Sequence, residues 1–283
     1  MPPRTTSTER QRRLGSELRK MRTAAGMTAE QAAGLLGLDR AKVSNIETGI
    51  RTISAERLRT LACNCACSDE TYVESLVDMA RPQGRGWWER YRGSLSSGLL
   101  DIAELEWHAT RMRTAHTAHI PGLLQTSDHA LELFRVVLPP LPQHEIALRL
   151  AYRVERQQVL EGDDPTEYIC LIHEAVLRMQ FGGARVARRQ LEHLVTASER
   201  EHVIVRVVPF AAGAFPGAGQ TVNYLEGPVP QLDTVQVDSS HGPEFLGDEA
   251  QLNKYRTHLD WMERIALTPE ASRDFIHDIA THL

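Results

Sequence analysis

The chain has 283 residues, 42% of them hydrophobic and 24% charged, with a formal net charge of -5, long enough for one large domain or two modest ones. No apolar run approaches the length that spans a bilayer and the first residues lack the apolar core of a secretory signal. The four cysteines, three of them crowded at 63, 65 and 67, do not form a secreted disulfide framework, so membrane and secreted classes are excluded and a cytoplasmic protein is expected.

Dividing the charge changes its meaning. Residues 1–66 hold 12 Lys and Arg against 6 Asp and Glu, a net of +6, while the rest hold 20 against 31, a net of -11. Only the first part has the electrostatic footprint of a polyanion binder, so the two parts face different partners.

Residues 1–10 are polar and read as a disordered tail. From Gln11 to Ala25 the spacing of Leu14, Leu18 and Met21 predicts a helix, ended by Gly26. Thr28 with Gln31 makes a capping box for a second helix, whose apolar stripe is Ala32, Ala33, Leu35 and Leu36. Gly37 permits the left-handed backbone that stops it, and Asp39 caps a third helix with Val43 and Ile46 inward. That third helix shows Arg40, Ala41, Lys42, Ser44 and Asn45 to solvent. Short and hydrogen-bonding groups with no acid outside the cap are the composition needed to enter a major groove lined with acceptors and flanked by phosphates. A helical hairpin that only packs is the plainer alternative.

Met27 to Gly49 resembles, without insertion or gap, the helix-turn-helix of the phage-repressor-like (Cro/C1, or XRE) family. The resemblance implies that Arg40, Ala41 and Asn45 meet base edges, with Lys42 and Ser44 nearer phosphates or bases and Thr48, Arg51 and Thr52 completing the DNA-binding set on the helix end and the following loop. The family also places an Arg late in the first helix and a Glu late in the recognition helix. Arg22 and Glu47 stand there, and a partly buried ion pair is expected, with two independent surface charges as the alternative. One departure is Ala29, where the family commonly has a Gln that braces a phosphate. Ser54 and Ser68 read as caps of two further short helices, giving a five-helix helix-turn-helix domain over residues 11–81.

Cys63, Cys65 and Cys67 read as small fillers at a helix end. Residues two apart on a helix point away from each other, so they do not make a shared metal site there, and a thiol sensor is the alternative reading. Pro82 to Gly86 reads as a linker. Trp87, Trp88 and Tyr91 follow, as anchors of the next core or as a ligand or partner cage.

Helices are predicted over Asp101 to His116 and Gln143 to Glu161, the second with Ile146, Leu150 and Val154 on one stripe. The texture then changes to strands at Tyr168–Ile172, Val203–Val208, Thr221–Leu225 and Thr234–Asp238. Helices follow over Arg185–Ser198, Asp248–Ala266 and from Thr268 onward. Residues 87–283 are therefore expected as a larger α+β domain that is not doubly wound. That order is joined by Gly86-Trp-Trp-Glu-Arg-Tyr-Arg92, Pro121-Gly-Leu-Leu-Gln-Thr126, His173-Glu-Ala-Val-Leu177, Gln190-Leu-Glu-His-Leu194 and Val208 to Gly217. Together they resemble the C-terminal, antitoxin-like (Scr1-type) domain of actinobacterial helix-turn-helix regulators. The resemblance implies transcription regulation, in many cases alongside a small partner protein from a neighbouring gene.

Enzyme patterns are incomplete. His173-Glu174 lacks the second His four residues on, where Leu177 stands, and Gly213 to Gly219 lacks the Gly-Lys-Ser/Thr ending of a phosphate loop. His116 and His119 are spaced to share a helix face, without a further ligand at recognisable spacing. The sequence thus points to a non-enzymatic, homodimeric regulator of double-stranded DNA with no metal or cofactor. Its second domain would supply dimer contacts and regulation, through a small protein partner or a small-molecule effector.

Overall fold

Apolar residues three and four apart build five helices in the N-terminal part of the computed structural model, which describes residues 7–81, 86–213, 215, 220–239 and 241–283. They are α1 (Glu9–Ala24), α2 (Ala29–Leu36), α3 (Arg40–Glu47), α4 (Ala55–Asn64) and α5 (Glu70–Ala80). Leu14 and Leu18 of α1 share one core with Leu36, Val43, Ile46, Leu58 and Leu76. The chain divides into two units. The first comprises Met1–Arg92, Ser96–Leu105 and Pro228–Leu232, the second Gly93–Leu95, Glu106–Gly227 and Asp233–Leu283. Val229 and Leu232 accordingly belong to the core of the first unit, where Arg13 Nη2 donates to the Gln231 carbonyl at 2.6 Å.

Several boundaries differ from the sequence reading. The first helix starts at Glu9 rather than Gln11, because Thr8 and Gln11 form a second capping box, so residues 8–10 are not tail. Asp69, not Ser68, caps α5 by accepting from the Tyr72 N–H at 2.9 Å. Residues 1–6 of the expected tail and 82–85 of the expected linker lie outside the described residues, as does most of the glycine-rich stretch 213–219.

Past α5 a short 3₁₀ turn, Trp87–Tyr91, leads to α6 (Ser97–His108). The helix expected over 101–116 ends at His108, and its second half is a strand, β1 (Arg111–His116). The second unit then runs through α7 (Ser127–Arg135), α8 (Gln143–Arg156), β2 (Glu167–His173), α9 (Glu174–Arg178), α10 (Ala184–Ala197), β3 (Val203–Val208), β4 (Val222–Glu226), β5 (Thr234–Ser239), β6 (Gly242–Leu246), α11 (Glu249–Ile265) and α12 (Pro269–Thr281). The chain is therefore a helical N-terminal domain followed by an α+β domain.

The sheet is six-stranded, in the order β3-β2-β1-β4-β5-β6. The β1, β2 and β3 strands are parallel to one another, and β4, β5 and β6 continue antiparallel. Ala115 pairs with Leu171 on one side and Val222 on the other, and all three pack with Leu252, Leu259 and Met262 of α11. The connection from α11 to α12 closes the outer edge of β3: Leu267 N–H donates to the Val207 carbonyl at 2.8 Å, and Val207 N–H donates to Ser272 Oγ at 2.9 Å. At the other edge, β6 carries Pro243, which has no backbone N–H to donate.

The stripe expected on α8 is only partly inward. Ile146 is buried, but Val154 is 44% exposed, and the α-helix gives way to a 3₁₀ turn, Gln157–Leu160. Its inward side carries Tyr152 and the stems of Arg153 and Arg156 instead.

Candidate nucleic-acid interface

A helix reads a groove only if its inner face is fixed while its outer groups stay available. In the first unit Val43 and Ile46 fix α3 in the core, and Arg40, Ala41, Ser44 and Asn45 are exposed on its other side. Gly37, at φ +62, ends α2, and the Asp39 carboxylate accepts from the Lys42 N–H at 2.7 Å to start α3. Lys42 Nζ lies 2.8 Å from the same carboxylate, which these bonds hold below the usual carboxylate range. Both side chains are about half exposed, so this pair is weak and the ammonium is available to a phosphate.

The rear of α3 is held by Arg22 and Glu47. Arg22 Nε donates to Glu47 Oε1 at 2.5 Å and Nη2 donates to Oε2 at 3.1 Å, while Nη1 donates to the Met27 carbonyl at 2.6 Å. The two side chains are 9% and 10% exposed. A two-pronged bond of this kind fixes angle as well as distance, and so ties the end of α3 to α1 and to the start of α2.

Two glycines let the backbones meet there. A Cβ on Gly15 would lie 2.5 Å from the Ile46 carbonyl oxygen, and one on Gly49, at φ +76, would lie 2.7 Å from the Arg12 backbone nitrogen. Gly15 is a structural residue of the interface that sequence reasoning passed over. Its signal was a glycine inside a helical pattern, which costs about 1 kcal/mol against alanine and so asks for a packing reason.

After α3, Thr48 Oγ1 donates to the Ser44 carbonyl at 3.0 Å, and Arg51 N–H donates to the Asn45 carbonyl at 2.9 Å. These bonds fold the loop back on the helix, with Arg51 and Thr52 exposed. A cavity of 550 Å³ opens beside this loop; Ile46 and Ile53 form apolar lining, and Arg51, Arg57 and Arg81 bring positive charge. Arg57 also donates through Nε to the Leu36 carbonyl at 3.1 Å, bracing the end of α2. At α2's start, Gln31 is occupied in the capping box with Thr28, so it does not stand in for the Gln that Ala29 replaces.

The other candidates resolve differently. Trp88 and Tyr91 are buried and Trp87 meets each ring edge-on, at centroid distances of 5.9 and 6.0 Å, an arrangement that packs rather than an open cage. Cys65 and Cys67 pack against the core of the first unit, whereas Cys63 is exposed and fills nothing. His116 ends β1 and His119 lies in the turn after it, so the two do not share a helix face, although their rings are 5.5 Å apart. His173 caps α9, with its Nδ1 accepting from the Ala175 N–H at 3.3 Å. Among the described residues no group of three or more His, Cys, Asp or Glu is placed to hold a metal ion, and no helix is long and apolar enough to cross a membrane.

The two short helices, the tight αL turn between them and the exposed outer row of α3 define a helix-turn-helix DNA-binding domain. Residues 13–72 match the family model described as a helix-turn-helix domain, which makes this unit the DNA-binding part of a regulator. Residues 99–278 match the model described as a domain of unknown function, DUF5753, and the chain belongs to that family. No curated protein and no solved structure matches the chain.

Proposed function

We propose that the protein is a sequence-specific transcriptional regulator of the Cro/C1 (XRE) type that acts as a homodimer on a pseudopalindromic operator, with α3 in the major groove. The observation that carries this reading is the outer row of α3, with Arg40, Ala41, Ser44 and Asn45 exposed above a helix pinned by Val43, Ile46 and the Arg22–Glu47 pair. Arg40 and Asn45 suit bidentate contacts to a guanine and an adenine, each such contact supplying roughly 1–3 kcal/mol of discrimination. Lys42, Thr48, Arg51 and Thr52 serve phosphates and set register.

A dimer follows from the arithmetic of search. One small module touches too few bases to compete with a genome of non-specific sites, and two half-sites combine their discrimination. The second domain, of the antitoxin-like type, then supplies dimer contacts and regulation. The net of -11 over residues 67–283 favours a basic protein partner for it over a second nucleic acid.

The test is selection of bound sequences from random duplex DNA by the wild type and by R40A/N45A. The wild type enriches a two-fold symmetric motif, and the variant enriches a weaker or degenerate one while keeping salt-sensitive non-specific binding. An unchanged motif would remove α3 as the reading helix. Co-purification of a small basic protein from native cells, at constant stoichiometry and dependent on the second domain, tests the partner reading.

A further inference from the structure

The sheet of the second unit has a parallel half that ends at β1. From β1 the chain goes to β2 on one side, and β4 flanks β1 on the other. The carboxyl end of β1 therefore lies at the border between the parallel and the antiparallel halves. Here β1 ends at His116, and the turn that follows, Ile120 to Thr126, is held in detail. Gln125 Nε2 donates to the Ile120 carbonyl at 2.6 Å, Gln157 Nε2 donates to the Gln125 carbonyl at 2.7 Å, and Gln190 Nε2 donates to the Leu124 carbonyl at 2.7 Å. A turn carrying this many amide braces is preorganised, and the DNA-binding reading gives it no role.

Two guanidiniums from α8 stand against that turn. A Cβ on Gly122 would lie 3.2 Å from Arg156 Nη2 and 3.5 Å from Arg153 Nη1, so both guanidiniums lie within contact distance of the turn. Arg156 Nε is 2.7 Å from the Glu106 carboxylate, a close charge pair that lacks hydrogen-bond alignment. Arg153 has no carboxylate within ion-pair distance among the described residues. Its Nη1 donates to Gln125 Oε1 at 2.6 Å, its guanidinium stacks 4.9 Å from the Phe134 ring centre, and its Nε is buried without an acceptor.

Beside them, His116 and His129 are 3% and 2% exposed, and neither ring nitrogen of either has a partner among the described residues. His119 lies 5.5 Å from His116, ring centre to ring centre. Burial of donors and of an unbalanced positive charge is costly unless something negative completes them.

We infer that the carboxyl end of β1, between Gly122, Gln125, Arg153, Arg156, His116 and His129, is a binding site for a small organic anion, a carboxylate or a phosphate ester. Arg153 supplies a charge without a carboxylate in ion-pair contact, Asp238 being near enough to act on it only through space, the imidazoles supply further donors, and Glu106 balances Arg156. The Gly122 turn forms the wall. This site goes beyond the DNA-binding reading and does not rest on it, because it is tested on the anion alone.

The experiment is thermal unfolding of the full chain in sodium phosphate and in sodium malonate, each against sodium chloride at equal ionic strength. A ligand held at a hundred times its Kd raises the midpoint by several degrees, on the order of 3–8 °C for a chain of this size. Because such anions also stabilise proteins by exclusion from their surface, the part of the rise that R153M loses and R149M keeps is what supports the site, in phosphate for the phosphate-ester class and in malonate for the carboxylate class. R153M removes that part, while R149M, on the same helix but paired with Glu145, keeps it. Should R153M fail to fold, the histidine Cε1–H resonances of the wild type decide, with two buried imidazoles shifting saturably in the effective anion. The site is overturned by equal midpoints in all three salts together with no saturable histidine shift, or by a folded R153M that responds like the wild type.

Discussion

Arg22 and Glu47 bear on both the stability and the pose of α3, the proposed reading helix. Because the pair is about nine-tenths buried, removing one member leaves the other charged and out of water. E47A is therefore expected to lose about 3–5 kcal/mol in urea unfolding. The apolar double variant R22M/E47L, which strands no charge and leaves only the Met27 carbonyl without its donor, should recover most of that loss, and equal losses in the single and double variants would count against the pairing argument. A second residue-scale effect belongs to His129. Burial, with His119 and Arg153 adding to it, pushes its imidazole down to about 4, and its ring meets Phe181 edge-on at 5.7 Å. The sign follows from proton counting: below the ordinary value near 6.5 the unfolded chain takes up a proton that the folded chain refuses. Stability is therefore full above pH 6.5 and falls as pH drops toward 4, by about 1.4 kcal/mol per unit and about 3 kcal/mol across the window. Urea unfolding at pH 7.5, 5.5 and 4.5 should show that slope, and H129F should reduce it, leaving what His116 and His193 contribute in the same direction.

At the scale of elements, the contact between α1 and α3 decides whether α3 keeps its pose. Alanine at position 15 gains about 1 kcal/mol of helix propensity in isolation. Its Cβ, however, would meet two backbone carbonyls of α3, at 2.5 and 2.6 Å, and backbone does not rotate away. G15A is thus expected to lose about 1–3 kcal/mol net and to weaken operator binding in fluorescence anisotropy. A variant more stable than wild type would show that α3 gives way easily.

The same element shows what the sequence makes legible. The Thr28 capping box, the Gly37 stop and the Asp39 cap are local chemistry and are read within four residues. The equivalent box at Thr8 obeys the same rule and is obscured only by the polar run before it. Strand β1 is different: Arg113, Thr114 and His116 are buried in the middle of the sheet, so the polar letters there carry no alternation to read. Arg113 is satisfied by Asp260 at 2.6 Å and Glu263 at 2.7 Å, nearly 150 residues away in the chain. The buried Arg153 and Arg156 hid the inward face of α8 in the same way. Short-range backbone bonding is written locally, whereas compensation of buried charge is written in partners that only the fold brings together.

For the whole molecule, charge and the symmetry of the proposed dimer set the terms of DNA recognition. The net of +6 is confined to residues 1–66 and is outweighed by -11 in the remainder, so long-range attraction to DNA is modest and base contacts must supply the selectivity. In the proposed dimer those contacts come from two copies of α3, and successive major-groove faces of B-DNA recur about every 10–10.5 base pairs. Operator spacing is therefore a direct reading of the assembly. Inserting five base pairs between half-sites turns them to opposite faces of the duplex and should lower affinity to that of a single half-site. Ten inserted base pairs restore the face and should recover binding in part, limited by how far the dimer spans. Electrophoretic mobility shift over this spacer series, at fixed salt, separates the alternatives: affinity that follows the helical repeat requires two coupled reading helices, and affinity indifferent to spacing means that each chain binds alone.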